Sequence, residues 1–137
     1  MPKNITVSWS GGKDSAAALY SLARRRAYRG YSVSGLVTTL TATYDRVCCH
    51  GVRRALIERQ ADLLGLPVHF AYIPQRATMA QYEQVTETTF ERLKDGGSGT
   101  VAFGDIFLDD VKRRRLSSLD RVGMAGIFPC GGSGPIT

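Results

Sequence analysis

The sequence predicts an α/β fold, a parallel five-stranded sheet with helices on both faces. Three observations predict it. Short apolar, β-rich runs alternate with longer amphipathic runs of helical spacing. Glycine or proline punctuates the junctions between them. The 137 residues make one domain, 43% hydrophobic and 22% charged, which is enough apolar chain for a core between packed layers. Parallel neighbours then need right-handed crossovers, because right-twisted strands and right-handed helices pack back onto the sheet only that way.

The first element is Ile5-Thr6-Val7-Ser8-Trp9, a β-rich run that stops at glycine. Asp14 to Arg26 reads as a helix of strong formers (Ala16, Ala17, Ala18, Leu19, Leu22, Ala23). Arg24, Arg25 and Arg26 lie in its last turn, where cations offset the helix dipole, and Gly30 follows. Tyr31 to Thr41 is a second strand. Val52 to Leu64 is a second helix, with Val52, Ala55, Leu56, Leu63 and Leu64 expected near one face and Gly65 as its stop. Pro67 to Ile73 is a third strand, opened by proline where a missing N–H matters least. Thr78 to Lys94 is a third helix with Thr78 as N-cap. Thr100 to Phe103 is a fourth strand, Ile106 to Leu119 a polar helix, and Met124 to Phe128 a fifth strand. Residues 1–128 are read as one domain and 129–137 as an irregular, turn-rich tail.

Composition excludes several classes of function. No apolar run approaches the ~18 to 20 residues that span a bilayer, so no membrane role is expected. Met1-Pro2-Lys3 leads straight into a strand without an apolar signal region, and a cytoplasmic setting is expected. Cys48, Cys49 and Cys130 are too few for a disulfide framework. The formal net charge of +6 favours anionic partners, nucleotides or RNA among them.

The chemistry concentrates in Ser10-Gly11-Gly12-Lys13-Asp14-Ser15, between the first strand and the first helix. In a parallel sheet, ligands bind outside the carboxyl ends of the strands, where this loop lies. Gly11 and Gly12 let the backbone close around an anion. Successive N–H groups and the helix N-terminus favour negative charge there. Lys13 adds a mobile cation, and Ser10 and Ser15 add hydroxyls. Asp14 reads as a helix cap or a contact to a phosphate-bound Mg2+. The hexapeptide is not a Walker A loop, because Asp14 follows Lys13 and no glycine stands five residues before Gly12. Nor is it the Gly-x-Gly-x-x-Gly of dinucleotide-binding folds.

This loop resembles the pyrophosphate loop of the N-type ATP pyrophosphatases, the adenine nucleotide alpha-hydrolase-like superfamily. Within it, the chain is most similar to the diphthine–ammonia ligase-related ATP-binding family. The residues that carry the likeness are Val7 to Ser15, His50-Gly51-Val52-Arg53, Gln60-Ala61, Leu64 to Pro67 and Phe103 to Leu108. The resemblance implies a Rossmann-like fold of the alpha-hydrolase type. It implies cleavage of ATP to AMP and pyrophosphate, so that a carboxylate is adenylated and then converted to an amide by ammonia. Carried over, Ser10, Gly11, Gly12, Lys13, Asp14 and Ser15 hold the β- and γ-phosphates. Gly104 and Asp105 lie beside the α-phosphate or its metal. Leu36, Val37 and Thr38 lie where the second strand ends and offer backbone contact to adenine. Lys13, Asp105 and His50 are the catalytic candidates, His50 as an acid or base, since histidine ordinarily titrates near pH ~6.5. Asp14 and Asp105 are the Mg2+ candidates.

The chain also departs from the family pattern. Cys48-Cys49 replaces Ser-Met before the histidine, Cys130-Gly131-Gly132 replaces Leu-Trp-Gly after Phe128-Pro129, and Lys112 to Ser117 holds no glutamate. Family members continue further, so the chain reads as a C-terminally truncated member. The partners implied are ATP, ammonia and a carboxylate, which a protein side chain could supply. RNA and a second copy of the chain are further candidates. Two alternatives stand beside the ligase: a non-catalytic ATP-binding module and a tRNA-modifying adenylating enzyme, for which the two arginine runs speak. A metal site at Cys48-Cys49-His50 with His69 or Cys130 is disfavoured, because adjacent cysteines do not form the usual Cys-x-x-Cys clamp. Trp9 fits a core ring as well as a base stack, and His69 fits a core or edge position.

Overall fold

A computed structural model describes residues 3–11, 13–24, 30–41, 46–47, 53–104 and 109–129. Its elements are β1 (Lys3–Ser8), α1 (Lys13–Arg24), β2 (Tyr31–Thr41), β3 (Arg46–Val47), α2 (Arg54–Leu64), β4 (Val68–Ile73), α3 (Met79–Asp95), β5 (Thr100–Phe103), α4 (Asp109–Arg121) and β6 (Ala125–Ile127). Five strands run parallel in the order β4-β2-β1-β5-β6. The sequence-based fold class is therefore observed. One strand was missed: β3 pairs antiparallel with the end of β2, Leu40 opposite Val47 and Thr41 opposite Arg46. Two residues give no period for a sequence pattern to register.

The strand faces sort the core into two layers. On one face, Ile5, Val7, Leu36 and Leu40 pack with Leu22 of α1 and with Ile57 and Ala61 of α2. On the other, Val37, Val101 and Phe103 pack with Phe90 and Leu93 of α3 and Leu119 of α4. Neighbouring strand residues alternate between faces, so Leu36 and Val37 serve opposite cores. Burying each large side chain contributes about 1.5–3 kcal/mol. Phe103 and Phe128 stack with ring centroids 5.3 Å apart, tying the end of β5 to the residue after β6.

Helix ends largely follow the expected chemistry. Thr78 caps α3 with a reciprocal capping box: its Oγ1 accepts from the Gln81 N–H, and Gln81 Oε1 accepts from the Thr78 N–H. Gly65 ends α2 with φ 72°. Arg121 joins α4 to α3 through Glu87 (2.8 Å) and Glu83 (3.6 Å), a half-exposed cluster of modest energy. Among the described residues, no helix is long and apolar enough to cross a membrane.

The expected inner face of α2 was wrong. Ile57 and Ala61 are its buried residues, whereas Leu56, Leu63 and Leu64 are 48%, 80% and 43% exposed. Leu56 lies about 100° around the helix from Ile57, so the two cannot share one narrow stripe. The strand above α2 is already filled by Leu36, Leu40 and the Trp9 ring, which leaves room only for the Ile57–Ala61 ridge.

Close packing at β6 gives a testable consequence. A Cβ on Gly126 would meet Leu119 Cδ1 at 2.8 Å and Leu116 Cδ2 at 3.0 Å. Leu119 is fully buried and has nowhere to retreat. Gly126→Ala is expected to destabilise the fold by about 1–3 kcal/mol through overpacking. Urea unfolding of the variant beside the native chain measures it.

Candidate functional site

The sheet order reverses between β1 and β5. From β1 the chain builds outward to β2 and β4, and from β5 it builds the opposite way to β6. Adjacent strands therefore send their chains to opposite faces: α1 joins the first core layer and α4 the second. Two diverging connections open a crevice at the carboxyl ends of β1 and β5, the place where open α/β sheets take ligands. Ser8 ends β1 opposite Phe103, which ends β5. Trp9, which follows Ser8, and Gly104, which follows Phe103, thus leave the sheet side by side.

The sheet is stepped at this point. Ser8 pairs with Val37, but β2 and β4 run on together to Thr41 and Ile73. Four more residues at strand rise make a wall roughly 13 Å tall beside the crevice. Leu40 and Thr41 pair with β4 on one edge and with β3 on the other. A strand has two edges, so β3 occupies the β1 side of β2, beyond the end of β1. The topology thereby sets β3 beside the upper part of β2, past the end of β1. His50 lies outside the described residues.

Trp9 anchors the loop at its entry. Its N–H donates to the Val37 carbonyl (2.8 Å), and its carbonyl accepts from Thr38 Oγ1 (2.7 Å). Its indole Nε1–H donates to Gln60 Oε1 on α2 (2.9 Å). The ring is 6% exposed and belongs to the core, so it is no platform for a base. This anchor was not foreseen from the sequence. Its only signal was a glutamine set between Ile57 and Ala61 on the inner side of α2.

After Trp9 the backbone turns sharply. Gly11 has φ 84°, a left-handed conformation that costs an L-residue about 1–2 kcal/mol. The Ser10 N–H donates to Ser15 Oγ (2.9 Å), and the two hydroxyls are also 2.9 Å apart. Ser15 is 1% exposed, while Ser10 and Gly11 are half-buried. Lys13 and Asp14 open α1. The first N–H groups of a helix have no partner within it, so the positive end of α1 starts where the loop ends. The arrangement suits a multiply charged anion.

Of the sequence-based site residues, Ser10, Gly11, Lys13, Asp14, Ser15 and Gly104 are gathered at the two loops by backbone position. Gly12, Asp105 and His50 lie outside the described residues, as do the side chains of Lys13 and Asp14. Leu36, Val37 and Thr38 are placed differently from expectation. They lie inside β2, which continues to Thr41, and the Leu36 N–H already donates to the Pro67 carbonyl (2.8 Å). They are level with the end of β1, and that is what brings them near the loop. Among the described residues, no group of three His, Cys, Asp or Glu gathers to hold a metal ion. His69 is exposed on the edge strand β4.

Cavity size alone would mislead. Under the crevice, on the α3 side, a cavity of about 20 Å³ touches Ser8, Thr39, Tyr82 and Thr86. It has room for one water and none for a base. A groove of about 700 Å³ lies at the opposite, amino end of the sheet, along Asn4, Gly97 and Thr100. It has none of the loop chemistry.

Residues 3–125 match the model of a protein family described as the diphthamide synthase N-terminal domain. No curated protein matches the chain.

Proposed function

The chain belongs to the diphthamide synthase N-terminal domain family, within the N-type ATP pyrophosphatase superfamily, and on that premise we propose that it binds ATP in the β1–β5 crevice and cleaves it to AMP and pyrophosphate. The observation that carries this reading is the Ser10–Ser15 turn at the reversal of strand order, with Gly104 beside it. A triphosphate tail would lie along Ser10, Gly11, Gly12 and Lys13 at the start of α1. Adenine would lie toward β2, against the wall that begins at Val37 and Thr38.

The proposed chemistry is carboxylate activation. A substrate carboxylate attacks the α-phosphorus, the bond to the β-phosphate oxygen breaks, and pyrophosphate leaves. Ammonia then attacks the acyl-adenylate carbon, and AMP leaves as the amide forms. The protein contributes position and charge. Loop amides and the Lys13 ammonium offset the charge that gathers on pyrophosphate. Asp14 and Asp105 would hold Mg2+ through their hard carboxylate oxygens, and the ion would supply positive charge to offset that of the phosphates. His50 would take the proton from the attacking ammonia. A cytoplasmic setting fits an ATP-consuming reaction.

Pyrophosphate release from ATP tests the proposal, measured with and without ammonia and a panel of carboxylates. Release that needs both co-substrates supports the ligase. Release stimulated by tRNA, with salt-sensitive tRNA binding, turns the reading toward a tRNA-modifying adenylating enzyme. Tight ATP binding with no release in any arm reduces the chain to a nucleotide-binding module.

A further inference from the structure

We propose that the small cavity beneath the crevice, between the ends of β1 and β5 and the helix α3, is the site that holds ammonia for attack on the acyl-adenylate. The inference rests on the carboxylate-activation reading above and gives its second substrate a place. The cavity measures about 20 Å³, enough for one molecule the size of water or ammonia. Ser8, Thr39 and Phe103 of the sheet and Tyr82, Thr86 and Thr89 of α3 line it. Ser8 and Phe103 are paired, and each ends its strand just before the chain leaves the sheet at Trp9 and Gly104. A molecule held here sits one residue below the place assigned to the α-phosphate, beside Gly104.

The lining selects its ligand by protons and by charge. Thr86 Oγ1 donates to the Tyr82 carbonyl (2.8 Å), and Thr89 Oγ1 donates to the Val85 carbonyl (2.8 Å). Each threonine has thus spent its one proton on the helix, and its oxygen can only accept. The Ser8, Thr39 and Tyr82 hydroxyls can rotate to accept as well. Ammonia offers three protons where water offers two, so acceptor-rich walls favour it. Among the described residues, no charged side chain lines the cavity. An ammonium ion would be buried there without a counter-charge, which is costly, so the neutral molecule is the form held. Neutral ammonia is also the form with a free lone pair. That pair forms the C–N bond, the bond from the acyl carbon to the AMP oxygen breaks, and the surplus proton goes to His50.

Titration with ammonium chloride, read by NMR at Thr39 and Thr86, tests the site without a nucleotide. The native chain is expected to give saturable shifts at both residues. Potassium chloride at the same ionic strength gives none. Methylammonium chloride gives none either, because the added methyl group exceeds the space. Thr86→Val keeps the shape and removes an acceptor, so half-saturation at Thr39 moves up roughly 5- to 10-fold. In turnover, KM for ammonia rises by the same factor in Thr86→Val while ATP affinity stays native. The absence of any saturable shift, the mark of an ordered water only, would overturn the proposal. Equal shifts with methylammonium, or an unmoved half-saturation in Thr86→Val, would overturn it too. The three salts are compared on the native chain, so the site is decided even if Thr86→Val folds poorly. Saturable shifts without pyrophosphate release in any arm would sink the ligase reading and leave the ammonia site standing. Ammonia-dependent release without those shifts would do the reverse.

Discussion

Lys13→Ala is expected to weaken ATP binding by roughly 10- to 100-fold, the worth of a hydrogen bond to a charged group. The fold is expected to persist. Lys13 is the first residue of α1, whereas the buried residues of that helix include Ala18 and Leu22. Alanine is also the best helix former, so the helix start tolerates it. The two expectations separate binding from stability. Calorimetric titration should show the loss, and thermal unfolding should move little. The native affinity should also fall as salt is raised, because the attraction is partly between charges. A Lys13→Ala chain with native ATP affinity would remove the lysine from the site.

Asp105→Asn is expected to cut pyrophosphate release by roughly 100-fold or more, the usual scale for losing one group aimed at developing charge. Asp105 follows Gly104, and Gly104 follows the β5 residue paired with the last residue of β1. Asparagine keeps the size and removes the charge. ATP affinity should therefore fall less than turnover, because the loop amides and Lys13 remain. Single-turnover quench measurements at saturating ATP read the chemical step directly. Unchanged turnover would move the α-phosphate chemistry to another residue.

Much of the architecture was legible because it rests on local periodicity. Thr100 to Phe103 reads as a strand because four apolar or β-branched residues sit between glycines, and all four are buried. Thr78 and Gln81 announce the start of α3 three residues apart. What escaped depends on contacts distant in sequence. Leu56 and Leu63 look like core residues until Trp9 and Gln60 turn α2 so that Ile57 and Ala61 face the sheet. Leu36 to Thr38 come level with the loop because β1 ends opposite Val37, not because β2 ends there. The place of the loop, between β1 and α1, was readable. Its inner bond was not, because nothing in six letters says that the last serine grips the first.

A crystal structure of the chain grown with ATP and Mg2+ tests the central claim most directly. The account predicts a triphosphate lying against Gly11 and the start of α1, within hydrogen-bond distance of the backbone amides, with the α-phosphate toward Gly104. A nucleotide bound elsewhere, such as the groove by Asn4 and Gly97, or a turn after β1 packed full by the chain's own side chains, would contradict it.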